Sequence, residues 1–330
     1  MKHIFCFLVA LSFVMQISYA QQCKTGKPVK IIFDSDMGPD YDDVGAIAIM
    51  HALADSGYAD ILATIASNKY EGVASVMNVF NTYYNRPGIP IGVPKGVAVN
   101  SKDPQHWTDT ILAKFPHKIK KNSQVPDAVN LYRKILSSQP DNSVTIVTVG
   151  FVTNLAGLLE TKPDKYSKLN GKELIAKKVK QLVSMAGGFP SGKEFNVFSD
   201  SLASKKVFNE WPTPVLFDGF EIGVQVKTGL PLTKNTAIKN SPVKDVFSLC
   251  IPMSDYDAEG RRSWDEIAVL IAIKNTAPWF TVKHGRIIIH DDGSNEWDSN
   301  GKGHSYIVPE LPLSSVEDSI NKLMMHTPGK

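Results

Sequence analysis

From residue 29 onward, short apolar runs alternate with longer segments whose apolar positions recur at helical spacing. The runs at 29–33, 61–66, 89–93, 144–149, 179–185, 215–217 and 286–289 read as strands buried between two layers. Between the first two, residues 43–54 are apolar almost all round and predict a buried helix. Repeated strand–helix alternation predicts an α/β fold: an open, mainly parallel, Rossmann-like sheet with helices on both faces. No repeat, low-complexity tract or Pro/Gly linker divides the pattern, so residues 24–330 read as one domain. The longest irregular stretch, 94–107, suits a loop over a site.

Ahead of this pattern, residues 1–20 have the organisation of a signal peptide. Lys2 and His3 precede an apolar run from Ile4 to Ile17, and Ser18-Tyr19-Ala20 places small residues at the positions a signal peptidase reads. The run is shorter than the roughly 20 apolar residues a membrane span needs. Ala20-Gln21-Gln22 lacks the small residues usual before a lipidated cysteine at Cys23. Cleavage after Ala20 and export, periplasmic or secreted, are therefore expected, with no membrane association afterwards. Of 3 cysteines, Cys23 and Cys250 would remain. Whether they pair depends on a separation in space that the sequence does not give.

Composition narrows the partners. The 330 residues carry a formal charge of +3, or +2 once Lys2 is removed. So small a charge supplies no field toward nucleic acid or membrane surfaces. The lysines at 114–121 and 162–180 alternate with acids and helix formers rather than stacking aromatics, which describes a solvated face.

The chemistry concentrates after the first strand, in Phe33-Asp34-Ser35-Asp36-Met37-Gly38-Pro39-Asp40-Tyr41-Asp42-Asp43. Five carboxylates in ten residues repel one another unless a cation neutralises them, and all-oxygen donors suit Ca2+ or Mg2+. Helix capping, with Asp42 as N-cap, accounts for only one or two of the five. A strand ending in Asp-x-Asp also opens the haloacid-dehalogenase-type phosphatases. Gly38 stands where those have Thr or Val, and Asp42-Asp43 has no place in their motif. A P-loop at 187–193 is excluded because Glu194 replaces the Ser or Thr that binds Mg2+. The Asp-rich turns at 291–293 and 298–301 lack the register of a calcium loop.

The string resembles the opening of the calcium-dependent, inosine-uridine-preferring nucleoside hydrolases, with two extra residues before Asp42-Asp43 that leave the role of Asp40 open. The resemblance continues in order through Asn68 at a strand end, Thr148-Val149-Gly150, Met185-Ala186-Gly187-Gly188 followed by Glu194-Phe195-Asn196, and Trp264-Asp265 before an apolar helix. It implies the nucleoside hydrolase fold and cleavage of N-ribosyl bonds in small-molecule ribosides, serving purine or pyrimidine salvage, and a homo-oligomer. Asp36, Asp43, Asp265 and the Val149 carbonyl would hold Ca2+. Asp36 would act as general base, Asp42, Asn68, Asn196 and Asp265 would bind the lower ribose hydroxyls, and Glu194 and Met185 would face the 5′ side. Trp264 occupies the place of a His that can protonate the leaving base. Another group would be the acid, with His106 and Asp109 as candidates, or the leaving group departs unprotonated, or Trp264 stacks on it. The rival reading is a non-catalytic ribose- or nucleoside-binding protein on the same scaffold.

Overall fold

The computed structural model describes residues 26–329. The leader expected at 1–20 and Cys23 lie outside the described residues. Strands are β1 (Val29–Ser35), β2 (Ala59–Ala66), β3 (Ile91–Gly92), β4 (Val144–Thr148), β5 (Val179–Met185), β6 (Ser191–Gly192), β7 (Val215–Asp218), β8 (Lys227–Thr228), β9 (Arg261–Arg262), β10 (Phe280–Ile289), β11 (Asn295–Asp298) and β12 (His304–Pro309). Ten of them form one sheet in the order β3-β2-β1-β4-β5-β7-β12-β10-β11-β6, while β8 and β9 pair separately. From β3 through β12 every neighbour is parallel, and β10, β11 and β6 continue antiparallel.

Each predicted run falls in a strand, with two differences. The run at 89–93 shrinks to Ile91–Gly92, and 286–289 is the buried end of a longer antiparallel strand. Strand side chains alternate between two layers, as the pleat requires. Ile31 and Phe33 join one apolar cluster, with the helices Asp42–Asp55, Val73–Tyr83, Pro242–Cys250 and Asp265–Lys274. Ile32 joins the other, with Ala128–Ser138, Thr153–Leu159, Gly171–Lys178 and Ser201–Glu210. Cys250 is buried in the first cluster and has no disulfide partner among the described residues. Among the described residues no helix is long and apolar enough to cross a membrane.

Two features position the site. β1 pairs with β2 on one side and with β4 on the other, so the strand order reverses there and a crevice opens at the carboxyl ends. The helices Asp42–Asp55 and Asp265–Lys274, both buried through nearly all their length, pack against each other beside it. Gly45 permits that approach, because a Cβ there would overlap the Glu266 carboxylate.

Candidate active site

The ends of β1, β4, β5 and β7 feed a cleft with about 110 Å3 of free volume, closed on its far side by the start of the Asp265–Lys274 helix. After β1 the chain turns at Met37, whose φ is +38°. The Met37 amide donates to Ser35 Oγ at 3.0 Å and to Asp43 Oδ1 at 3.1 Å, folding the loop back onto its own helix. Gly150, after β4, lies so close that a Cβ would stand 2.5 Å from the Asp36 nitrogen. That approach seats Asp36 beside the Val149 carbonyl end of the neighbouring strand.

The five acids of the 34–43 string separate into different environments. Asp34 turns into the core, where Tyr132 donates to it at 2.8 Å and Asn154 at 3.1 Å, and burial pushes its carboxyl up to about 7. Asp40 and Asp42 share the Arg261 guanidinium, at 2.5 and 2.6 Å. Arg261 also lies over the rings of Tyr41 and Trp264. Asp42 is not the N-cap of its own helix, which starts at Asp42 and has Tyr41 as a cap residue without a side-chain bond. Its Oδ2 instead accepts the amides of Trp264 and Asp265, at 3.3 and 3.4 Å, and so serves the start of the other helix.

That leaves Asp36 and Asp43, joined by Asp265. Asp43 Oδ1 accepts from Ser35 Oγ at 2.5 Å, but its buried Oδ2 has no hydrogen-bond partner. Burial pushes Asp43 up to about 7, with Asp42 adding like charge. Asp36 is raised well above the usual carboxylate range by burial and then by the charges of Asp43 and Asp40. Asp265 is raised in the same direction by burial and then by Asp42 and Asp43. Among the described residues no three acidic side chains are drawn together into a ready coordination sphere. The donor set still fits a hard divalent cation. It is all oxygen, it holds an orphaned carboxylate oxygen, and a bound cation would relieve the repulsion and desolvation that raise these three groups. The Val149 carbonyl accepts from Asn196 Nδ2 at 3.3 Å and keeps a second lone pair for such an ion.

Met185, Glu194 and Asn196 line the cleft as a group. Glu194 is the N-cap of Phe195–Ser199, and its carboxylate accepts the amides of Asn196, Gly187 and Val197 at 2.7, 3.1 and 3.2 Å. Burial outweighs those three donors and pushes it up to about 7. Asn196 Nδ2 bridges the carbonyls of Val149 and Met185.

Asn68, like Asp43, does not itself line the free volume of the cleft. It is fully buried, and its side-chain amide donates to the Ser101 carbonyl at 2.5 Å and accepts the Ser101 amide at 3.1 Å, pinning the irregular 94–106 segment. The structure does not bring His106 or Asp109 to the cleft. The His106 side chain is 76% exposed, and Asp109 pairs with Lys102 at 2.7 Å.

Of the aromatic wall, the sequence points to Trp264 but not to Phe220 or to a role for Phe195. Trp264 stacks on Phe220 with ring centroids 5.5 Å apart and planes 23° apart, and its Nε1 donates to the Phe220 carbonyl at 2.9 Å. Phe195 lines the same cleft. Phe220 follows the predicted strand at 215–217 by three residues, at the sheet edge where ligands bind, and that position was the available signal. Arg261 offered none, because its partners lie 219 and 221 residues away.

A family model described as inosine-uridine preferring nucleoside hydrolase matches residues 31–302. Among curated proteins, the chain is 28% identical over 193 residues to an inosine-uridine preferring nucleoside hydrolase of Leishmania major, covering 56% of this chain and 58% of that protein. It is 29% identical over 210 residues to a pyrimidine-specific ribonucleoside hydrolase of an Enterobacter species, covering 58% and 60%. The chain thus spans somewhat under two thirds of the length of these relatives. Its fold is shared with a purine-preferring ribonucleoside hydrolase of Gardnerella vaginalis, at a TM-score of 0.70 and 16% identity over 90% of this chain and 99% of that one. An inosine-uridine preferring nucleoside hydrolase of Bacillus anthracis gives 0.68 at the same identity and coverage. With the cleft at the expected sheet edge and most of its length matched by one family model, the chain belongs to the inosine-uridine preferring nucleoside hydrolase family.

Proposed function

We propose that the chain hydrolyses the N-glycosidic bond of ribosides in this cleft, with Asp36 as general base. The observation that carries the reading is the group of buried, mutually repelling carboxylates Asp36, Asp43 and Asp265 at the reversal of the sheet. Asp36, Asp43, Asp265 and the Val149 carbonyl would hold Ca2+. When bound, that ion supplies charge that keeps the acids ionised and a Lewis acid beside the sugar.

Asp36 takes a proton from the water that attacks the anomeric carbon. Asp42, fixed by Arg261, and Asp265 and Asn196 take the ribose 2′- and 3′-hydroxyls, while Met185 and Glu194 border the 5′ side. Asn68 acts at one remove by anchoring the 94–106 segment. A site organised around a diol discriminates against 2′-deoxyribosides by about 10⁴-fold, since loss of a hydroxyl strands buried polar groups. Export by the 1–20 leader and assembly of copies of this chain belong to the same proposal.

The test is release of reducing sugar from a panel of ribosides, with calcium and with chelator. Release in calcium, its loss in chelator and its recovery on adding calcium back are expected. Measurable riboside binding with no release from any member of the panel would leave a binding protein and remove the hydrolase.

A further inference from the structure

Asp36 is followed by a residue in a backbone state that few side chains adopt. Met37 has a φ of +38°, in the left-handed region, where a residue other than glycine is strained and stays only if its surroundings hold it. Both of its backbone polar groups are held. The amide donates to Ser35 Oγ and Asp43 Oδ1, at 3.0 and 3.1 Å, and the carbonyl accepts from the Tyr70 hydroxyl at 2.7 Å. Of these three partners Tyr70 alone lies outside the acidic string. It stands just past β2, is 4% exposed and does not line the cleft. Its ring packs so closely on Gly38 that a Cβ there would stand 2.7 Å from Cε1. Tyr70 is itself fixed, because Asn122 Nδ2 donates to its carbonyl at 2.8 Å and Asn68 Oδ1 accepts its amide at 3.4 Å. Burial, and then the charges of Asp103 and Asp43, raise its phenol well above the usual range, so the hydroxyl stays a donor.

We propose, resting on the hydrolytic reading of the cleft, that Tyr70 is a positioning residue for Asp36 and acts through the Met37 carbonyl. The acids on the cleft side of the loop repel one another, so a loop with no hold from behind relaxes by turning Met37 toward a commoner φ. That rotation carries the Asp36 carboxylate with it. Tyr70 opposes the rotation from the far side of the loop, tying the turn to the end of the neighbouring strand. It touches neither sugar nor water. Its effect on rate comes from where it leaves the base, and about 1 Å of misplacement costs about 10²-fold.

The experiment compares the full wild-type chain with Tyr70→Phe, which keeps the ring against Gly38 and removes only the hydroxyl. kcat and KM per folded molecule are measured at saturating calcium on a p-nitrophenyl riboside, whose phenolate leaves without protonation, so that the attack of water is what is read. Calcium affinity is measured separately, by calorimetric titration without substrate. In Tyr70→Phe, kcat is expected to fall by about 100-fold with KM within about threefold, and calcium affinity to weaken by at least about threefold, because Asp36 serves both. Gly38→Ala is the second variant. It keeps every hydrogen-bonding group but drives its Cβ into the Tyr70 ring, and it should show the same split between kcat and KM. A kcat for Tyr70→Phe within about threefold of wild type, or a loss carried by KM alone, overturns the role of Tyr70. No release of p-nitrophenol by the wild type would instead sink the hydrolytic reading, and the calcium titration then decides Tyr70 by itself, with unchanged affinity overturning its role.

Discussion

Arg133 and the acids of the cleft are all buried charges, and the fold treats them in opposite ways. Arg133 is 1% exposed, yet Asp164 takes its Nε and one terminal nitrogen at 2.8 and 3.0 Å, Thr161 takes another at 2.7 Å, and the carbonyls of Ser167 and Leu169 fill the rest. The pairing holds Asp164 well below the usual carboxylate range. Around the cleft the reverse holds. Asp43 keeps one orphaned oxygen, Glu266 and Asp218 keep two each, and burial drives all three upward. A compensated buried charge ties secondary structure together. One left uncompensated is held neutral by a proton until water or an ion completes it.

The contrast breaks most sharply at Asp36. Asp36→Asn should lower kcat by at least about 10³-fold while leaving the metal-free melting temperature unchanged or higher, since it removes a repelling carboxylate. A variant that melts lower in chelator would place Asp36 with the compensated charges. Arg133→Ala should do the opposite, costing about 3–5 kcal/mol in denaturant unfolding with kcat/KM per folded molecule unchanged. A smaller effect is expected from pH. Asp34, Asp43 and Glu194, each pushed up to about 7, hold protons in the folded chain that the unfolded chain releases near pH 4. The stability they contribute is complete below that pH and is lost as pH rises through 7. In chelator the melting temperature should therefore fall by about 5 °C between pH 5 and pH 8, and calcium should flatten the fall. A rise over that interval would contradict the burial of these acids as neutral groups. Smallest of all, His106→Ala should leave kcat/KM within about twofold, because its exposed ring lies away from the cleft. A loss beyond tenfold would mean that the 94–106 segment closes over the substrate.

What could be read from sequence was set by how local each signal is. β1, β4 and β5 are covered on both faces, so their apolar runs stand out without knowledge of their neighbours. β11 and β12 were not visible. Asn295–Asp298 is short and polar, and His304–Pro309 is apolar only at its centre. β10 was read at its buried end alone, because exposed Lys283 and His284 interrupt it. The acids and the block around Glu194 were legible because they cluster in sequence. Their partners were not, since Arg261 reaches Asp40 and Asp42 only through the fold. For the same reason five adjacent acids suggested one shared cation, whereas Tyr132, Asn154 and Arg261 already accommodate three of them.

The bonds from Asp42 to the amides of Trp264 and Asp265 also order events in time. They join residues 222 and 223 apart, so the acidic loop leaves the ribosome long before the segment that organises it. At about 5–20 residues per second the delay is roughly 10–45 s. Throughout that interval the first carboxylates have neither Arg261 nor the Asp265 helix beside them. The cleft is thus among the last parts of the molecule to form, and a chain halted before Arg261 would carry most of the sheet but no site.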